Sequence, residues 1–244
     1  MLYLIGIDDT DNLKSRGTGY RARQLGEMLG RKNIAQLKSI TRHQLLVSPE
    51  IPYTSHNSSA CLLAEINEAN KNMIADACRQ FLLTESSPGS DVGLCIAEWD
   101  KIDGEVLEYG NRAKREVLTM AQAEVLSRKK DILLEGLTGT RGGIIGSLAS
   151  VGLRKQGNDG RCLWLRGMRE LSGIHTAGEI KRYADIDIIC DSNNNPADNE
   201  ETIDTGKWLR PILKNGKSVL YVEKAHEGTK WRILAKETIK RLSD

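Results

Sequence analysis

Cysteine is scarce and scattered in this sequence of 244 residues. The five cysteines, at positions 61, 78, 95, 162 and 190, are odd in number and form no C-x-x-C pair. This spacing argues against a disulfide framework and against a structural zinc site. We therefore expect the protein in a reducing compartment, the cytoplasm.

Long apolar runs and a strong charge of either sign are also missing. No run approaches the roughly 20 apolar residues that span a bilayer, so we expect no membrane association. The start, MLYLIGIDDTD, soon turns acidic and lacks a basic segment, which is atypical of a signal peptide. The net charge of +2 does not by itself indicate a nucleic-acid partner, although a locally basic face is compatible with it.

Strand-like and helix-like segments alternate along the chain, which predicts an α/β or α+β fold. Apolar runs predict strands at residues 1–7, 59–66 and 92–99. Helical spacing of apolar residues predicts helices at 18–30, 111–130 and 231–242. A polar turn cluster at 155–160 suggests a boundary that gives two domains, 1–157 and 158–244.

Three aspartates follow the first predicted strand: Asp8, Asp9 and Asp11. Carboxylates this close repel one another unless a cation or hydrogen bonds offset the repulsion. Mg²⁺ prefers oxygen ligands and usually takes one or two carboxylates together with substrate phosphates. An Asx-turn or a helix cap explains one or two of the aspartates but not all three. We therefore predict a Mg²⁺ site here.

Two glycine-rich segments precede predicted helices. Gly17 and Gly19 flank Thr18, and glycines at a helix N-terminus let N–H groups approach a phosphate; Thr18 as an ordinary helix cap is the simpler alternative. Residues 138–147 combine glycines with Arg141, which suits a triphosphate. An alternative of equal weight is that these residues form a loop that leads into a closely packed helix. Neither segment matches the GxxxxGK[ST] phosphate-binding loop, which this sequence lacks. The predicted nucleotide-binding residues of these segments are Gly17, Gly19, Arg141, Gly142, Gly143 and Gly146.

Several short segments together resemble one protein family. They are Ile5–Asp11, Thr18-x-Tyr20, Ile51-Pro52-Tyr53 followed by Asn57, Pro88-Gly89, and Gly143–Gly152. In this order and spacing they resemble the archaeal isoleucine-tRNA 2-agmatinylcytidine synthetases over roughly residues 1–155. That resemblance implies a kinase-like N-terminal α/β domain, 1–157, and a smaller ferredoxin-like α+β domain, 158–244.

The resemblance also implies a chemistry. Family members use ATP and Mg²⁺ to phosphorylate the 2-carbonyl oxygen of an anticodon cytidine in tRNA, and agmatine then displaces the phosphate. It implies that Asp8, Asp9 and Asp11 hold Mg²⁺ and phosphates, and that Thr18 becomes autophosphorylated. Asn57 and the 141–147 loop would contribute to nucleotide binding. The expected class is thus an ATP-dependent ligase or kinase-like tRNA-modifying enzyme, with tRNA and agmatine or another small amine as partners.

This sequence departs from the family in two respects. We expect neither the OB-fold nor the zinc ribbon that grip tRNA in the family within these 244 residues, and Thr18 lies between glycines where the family usually has Cys and Thr. Two alternatives stay open: a kinase-like enzyme acting on a small molecule, and a non-catalytic nucleotide- or RNA-binding module. If tRNA is bound, the candidate contacts are the basic stretches 128–130, 154–155 and Lys224 with Lys230, Trp231 and Arg232.

Overall fold

A computed structural model describes residues 1–53, 56–225 and 231–243 of the protein. The chain divides into two compact units, Met1–Gln156 and Gly157–Asp244. Helices and strands are mixed in both, so the predicted mixed α/β class is confirmed. No helix in the described part of the chain is long and apolar enough to cross a membrane.

The first unit is built on an antiparallel sheet in the order β5-β4-β1-β3-β2. Its strands are β1 (Leu2–Asp8), β2 (Ala35–Gln44), β3 (Ser58–Ile66), β4 (Gly93–Glu98) and β5 (Leu133–Gly136). Its helices are α1 (Thr18–Arg31), α2 (Ile74–Glu85), α3 (Gly104–Ala113), α4 (Met120–Lys129) and α5 (Ile144–Gln156). The predicted strands at 1–7, 59–66 and 92–99 and the predicted helix at 18–30 are therefore confirmed.

The central strand β1 is buried, and its side chains alternate between the two faces of the sheet. Successive residues of a strand point to opposite faces, so Leu4, Gly6 and Asp8 share one face. Leu4 belongs to a core cluster with Leu148 and other residues of α5, which identifies that face as the one α5 covers. Gly6 lets α5 approach, because a Cβ there would lie 2.1 Å from the Ser147 carbonyl oxygen. The same alternation directs Asp8 toward the start of α5.

The predicted helix over 111–130 is wrong: the chain forms two helices, α3 and α4, with a break between them. The helix α4 has its own start, because Thr119 accepts a hydrogen bond from the Gln122 N–H and the Gln122 side chain accepts one from the Thr119 N–H. This reciprocal capping box specifies a new helix N-terminus. Leu118, which lies in the break, is buried.

The long strand β2 has no counterpart among the sequence predictions. Its buried face includes polar residues, Ser39, Thr41 and His43, and no apolar alternation marks it. Thr41 Oγ1 and His43 Nε2 lie 2.8 Å apart and satisfy each other by a hydrogen bond. Burial of mutually bonded polar groups is compatible with a strand but invisible to a hydrophobic pattern.

The described residues of the second unit form a mixed sheet and two short helices around their own apolar core. Its strands are β6 (Arg161–Trp164), β7 (Ile174–Thr176), β8 (Ile188–Cys190), β9 (Thr202–Asp204), β10 (Ile212–Lys214), β11 (Lys217–Lys224) and β12 (Trp231–Ile233). Its helices are α6 (Ala177–Tyr183) and α7 (Lys236–Ser243). The predicted helix at 231–242 is therefore wrong at its start, because Trp231–Ile233 pairs with β11 and the helix begins only at Lys236.

Candidate active site

A cavity of about 150 Å³ lies at the C-terminal end of β1, within the first unit. Several chain segments meet there, because the end of antiparallel β1 adjoins the starts of β3 and β4. The polar lining comprises Asp8, Asp9, Asp11, Thr18, His56, Asn57, Ser58, Asp91, Glu116 and Thr140. The apolar lining includes Leu45, Ile51, Pro52, Tyr53, Ala113, Leu118 and Ile145.

Asp8 ends β1 with its carboxyl enclosed against α5. Its Oδ1 accepts a hydrogen bond of 2.8 Å from the Asp9 N–H. Burial raises the pKa of Asp8 to about 7, and the charges of Asp9 and Asp11 add to that effect. A carboxylate held in this way is poorly solvated when ionised, so a cation in the cavity would stabilise it.

Asp9 has a strained backbone and a second acidic neighbour. Its φ of 48° is in the left-handed region, which a non-glycine residue adopts at a cost. Burial raises the pKa of Asp9 to about 6, and the charge of Asp91 contributes in the same direction. Mutually repelling carboxylates in a partly buried position are typical of a ligand-binding site.

Thr18 and Asp11 are joined by two hydrogen bonds at the start of α1. The Thr18 hydroxyl donates to Asp11 Oδ1 at 2.9 Å, and the Thr18 N–H donates to the same oxygen at 3.1 Å. The cap residue of α1 is Gly17, whose backbone is extended. Thr18 is therefore the first helical residue and not the cap, and Asp11 supplies the capping carboxylate from outside the helix.

The glycine-rich loop before α5 is bound tightly to the start of β4. Asp91 accepts hydrogen bonds from the Thr140 N–H at Oδ1, 2.5 Å, and from the Gly143 N–H at its carbonyl oxygen, 2.8 Å. The Arg141 N–H donates to the Thr138 carbonyl. These three N–H groups are used within the protein, so they do not form the phosphate-binding nest that the sequence suggested.

Close packing accounts for two of the predicted nucleotide-binding glycines. A Cβ on Gly146 would lie 1.7 Å from Asp8 Oδ2, and one on Gly143 would lie 2.5 Å from the Asp91 carbonyl oxygen. Both positions therefore require glycine for steric reasons. Gly142, Gly143 and Gly146 nevertheless line the cavity, so their backbones are accessible to a ligand there.

Not every predicted residue reaches the cavity. Gly17 and Gly19 flank Thr18 but are absent from the lining, and Arg141 lies in a separate cleft beside Arg79 and Glu135. Asn57 does line the cavity, while its Nδ2 donates to the Leu46 carbonyl oxygen at 2.6 Å. Sequence reasoning missed Asp91 and Glu116. Asp91 has no local signal, whereas the Thr119-x-x-Gln122 capping pattern could have located the break that carries Glu116.

The carboxylates of the cavity suit a divalent cation that is bound jointly by the protein and by phosphates of a ligand. They suit a metal site formed by protein side chains alone less well. Within residues 1–53, 56–225 and 231–243, no group of three or more His, Cys, Asp or Glu side chains is arranged to hold a metal ion. Asp8, Asp9 and Asp11 line one cavity, and burial with mutual repulsion makes an ionised pair unfavourable without a counter-charge. Mg²⁺ needs only one or two such carboxylates and completes its shell with water and phosphate oxygens.

Comparison with known proteins finds similar solved structures. No protein-family model and no curated protein matches this sequence. The crystal structure of apo TiaS, an isoleucine-tRNA agmatidine synthetase, aligns with a TM-score of 0.53 and 22% identity, over 62% of this chain and 35% of that one. The complex of TiaS with its tRNA and ATP aligns at 0.55 and 23%, over 62% and 36%. The complex of TiaS with its tRNA, AMPCPP and agmatine aligns at 0.54 and 22%, over 62% and 36%.

These matches establish the fold. The chain has a TiaS-like fold over 62% of its length, which confirms the resemblance to the agmatinylcytidine synthetases at the level of structure. The match spans only about a third of TiaS, 35–36% of its chain.

Proposed function

We propose that this protein binds ATP with Mg²⁺ in the cavity at the end of β1 and transfers its γ-phosphoryl group. The observation that carries this proposal is the arrangement of Thr18 and Asp11 beside Asp8, Asp9 and Asp91 in one cavity. Support also comes from the solved TiaS structures of the same fold, one of which contains ATP and another AMPCPP with agmatine.

Thr18 is the proposed first acceptor of the phosphoryl group. Its oxygen would form a bond to the γ-phosphorus of ATP as the bond from that phosphorus to the bridging oxygen breaks and ADP leaves. The hydroxyl proton has a receiver in place, because Thr18 Oγ1 already donates to Asp11 Oδ1 at 2.9 Å. The N-terminus of α1 would stabilise the phosphate added to its first residue.

Asp8 and Asp9 are the proposed ligands of Mg²⁺, with Asp11 close by. When bound, the cation supplies charge neutralisation for the triphosphate. The cavity of about 150 Å³ is small beside typical ligand pockets of roughly 300–1,000 Å³, so it suits the phosphate end of the nucleotide. Ile51, Pro52 and Tyr53 then offer an apolar surface for the adenine, and Asn57 lines the same cavity.

Arg141 is retained as a proposed phosphate ligand because it lies between Thr140 and Gly142, both of which line the cavity. Its side chain lines a separate cleft, so the guanidinium would have to turn toward the cavity when ATP binds. Gly17 and Gly19 are proposed to permit close approach to the phosphoryl group on Thr18.

The proposed second acceptor is a cytidine of a tRNA anticodon, with agmatine or another small amine as the group that displaces the phosphate. A tRNA-modifying ligase of this kind is favoured by the solved complexes of TiaS with tRNA. The alternatives are a small-molecule kinase and a non-catalytic binding module. The deciding experiment is incubation with γ-labelled ATP, Mg²⁺ and total tRNA, with and without agmatine.

Label on Thr18 that moves to RNA, and is released only when agmatine is present, would support the full proposal. Label that stays on protein regardless of RNA would favour the small-molecule kinase. No label on protein or RNA, and no Mg²⁺-dependent ATP hydrolysis, would contradict phosphoryl transfer altogether. The matched control is Thr18→Val, which preserves the shape of the side chain and removes its hydroxyl.

A further inference from the structure

Several residues of the basic stretches that the sequence suggested for RNA contacts already have partners within the protein. Lys129 and Lys130 form ion pairs with Glu105 at 2.6 and 2.5 Å. Lys155 stacks on the Trp99 ring at 4.0 Å. These groups are therefore poor candidates for binding phosphates.

Two residues of the third predicted stretch, Trp231 and Arg232, also have partners within the protein. Trp231 is buried, and its Nε1 donates to Glu201 at 2.8 Å. Arg232 pairs with Glu223 at 2.9 Å. Lys230 lies outside the described residues.

A different surface of the second unit carries an exposed aromatic ring between two cations. Trp208 is 37% exposed, on the turn that follows β9. The guanidinium carbons of Arg210 and Arg169 lie 5.3 and 5.8 Å from its ring centroid. Both distances are within cation–π range but beyond close stacking, so neither guanidinium covers the ring completely.

Two turns of the backbone hold this arrangement in place. The Leu209 N–H donates to the Met168 carbonyl at 3.3 Å, and the Gly173 N–H donates to the Gly206 carbonyl at 3.0 Å. Leu209 and Met168 are buried directly beside the exposed Trp208 and Arg169. The backbone that carries the aromatic ring is therefore held by hydrogen bonds and by buried neighbouring side chains.

The positive charge of the surface is not neutralised within the described part of the chain. None of its carboxylates forms an ion pair with Arg169, Lys207 or Arg210. Glu170 is adjacent, but it accepts a hydrogen bond from the Arg169 backbone N–H and not from its guanidinium. By contrast, Arg166 on the same turn is paired with Asp185 at 2.5 Å.

We infer that Trp208, with Arg169, Lys207 and Arg210, is a stacking surface for an unpaired base of RNA. Single-stranded nucleic acids are bound by aromatic rings that stack on bases and by neighbouring cations that contact the flanking phosphates. The inference deepens the proposed function and rests on it for the choice of an RNA ligand.

The test measures binding of a fluorescently labelled single-stranded RNA oligonucleotide to the full chain by anisotropy across a KCl series. Trp208→Ala should weaken binding by about 5- to 150-fold, the range for loss of one stacked base, and Trp208→Phe should retain most of the affinity. The slope of the logarithm of the binding constant against the logarithm of the KCl concentration should become shallower by about 1.4 in the double variant Arg169→Gln with Arg210→Gln. Each phosphate contact to a single strand contributes about 0.7 to that slope. Arg166→Gln is the matched control and should change affinity less than about threefold, because its charge is already paired.

Equal affinity of Trp208→Ala and wild type would overturn the inference, as would Trp208→Phe binding as weakly as Trp208→Ala. Binding of Mg·ATP is measured in parallel by calorimetry. This second measurement distinguishes a failure of the proposed ATP site from a failure of the proposed RNA surface. Intact ATP binding without any RNA binding at low salt would overturn the inference. Unfolding curves for each variant exclude loss of structure as the cause.

Discussion

The Thr18 hydroxyl donates a hydrogen bond to Asp11 Oδ1, and the Thr18 N–H donates to the same oxygen, at 2.9 and 3.1 Å. One carboxylate oxygen therefore both caps α1 and orients the hydroxyl that we propose as the phosphoryl acceptor. The two roles can be separated, because an amide oxygen can cap a helix but cannot take the hydroxyl proton as effectively.

Asp11→Asn should leave the fold intact and slow phosphorylation of Thr18 by roughly 10²- to 10⁴-fold, the usual contribution of a general base. Asp11→Ala should also lose about 1 kcal/mol of stability with the cap. Incorporation of label from γ-labelled ATP and peptide mass spectrometry measure the first effect, and urea unfolding measures the second. Phosphorylation of Asp11→Asn at the wild-type rate would eliminate Asp11 as the proton acceptor.

The stability of the nucleotide-free protein should fall as pH rises. The pKa of Asp8 is raised to about 7 in the folded state, so between about pH 4 and 7 the folded protein retains a proton that the unfolded chain has lost. The folded state binds more protons there, stability declines through that window, and the full penalty is present above pH 7. At pH 8 Asp8→Asn should be more stable than wild type by up to about 4 kcal/mol.

Urea unfolding at pH 5 and pH 8, in EDTA and in MgCl₂, checks this dependence. Mg²⁺ should stabilise wild type at pH 8, because binding to the folded state alone adds stability, and should not stabilise Asp8→Asn. Exposed Asp100 supplies the control: Asp100→Asn should keep the wild-type slope. If the stability of Asp8→Asn changed with pH as much as that of wild type, Asp8 would not be the titrating group.

Gly146→Ala should damage the site through a single steric conflict. The added Cβ would lie 1.7 Å from Asp8 Oδ2, so the carboxyl or α5 must shift. We expect Mg·ATP affinity to fall at least about tenfold and stability to fall by roughly 1–3 kcal/mol, the cost of overpacking. Calorimetry and thermal unfolding measure the two effects. Gly30→Ala, where a Cβ meets nothing within 4 Å, is the control, and unchanged ATP binding in Gly146→Ala would separate Asp8 from the nucleotide.

The parts of the site that sequence could predict are those encoded locally. β1 and the aspartates that follow it are contiguous, and strand alternation directs Asp8 toward α5 without further information. Asp91 reaches the same cavity only because β4 pairs with β1, with Asp8 opposite Gly93. That register joins residues more than eighty positions apart, and no local pattern encodes it.

Sequence reasoning failed where burial did not follow hydrophobicity. β2 buries Ser39, Thr41 and His43, so its pattern resembles a loop. The region 111–130 has helical apolar spacing throughout, yet the chain breaks before the capping residue Thr119. In the first case tertiary hydrogen bonds determine the strand, and in the second a local cap outweighs the longer apolar period.

Substitution of Arg141 tests whether the glycine-rich loop before α5 contributes to nucleotide binding. Thr140 and Gly142 on either side of it line the cavity, while its own side chain lies against Gly136 and lines a separate cleft. If the guanidinium turns to the triphosphate on binding, Arg141→Ala should weaken ATP binding by roughly 1.5–3 kcal/mol, the range for hydrogen bonds to a charged group. Arg141→Lys should recover only part of this, because an ammonium lacks the paired planar donors.

Calorimetric titration of Arg141→Ala with Mg·ATP and with Mg·ADP distinguishes the possible contacts. A loss confined to ATP would place the guanidinium at the γ-phosphate, where phosphoryl transfer begins, whereas an equal loss for both nucleotides would place it nearer the β-phosphate. Arg79→Gln, in the same cleft, is the control and should leave both affinities unchanged, because Arg79 pairs with Glu135 at 2.7 Å. Wild-type affinities in Arg141→Ala would leave the loop with only its packing role, in which Gly143 and Gly146 allow α5 to approach Asp91 and Asp8.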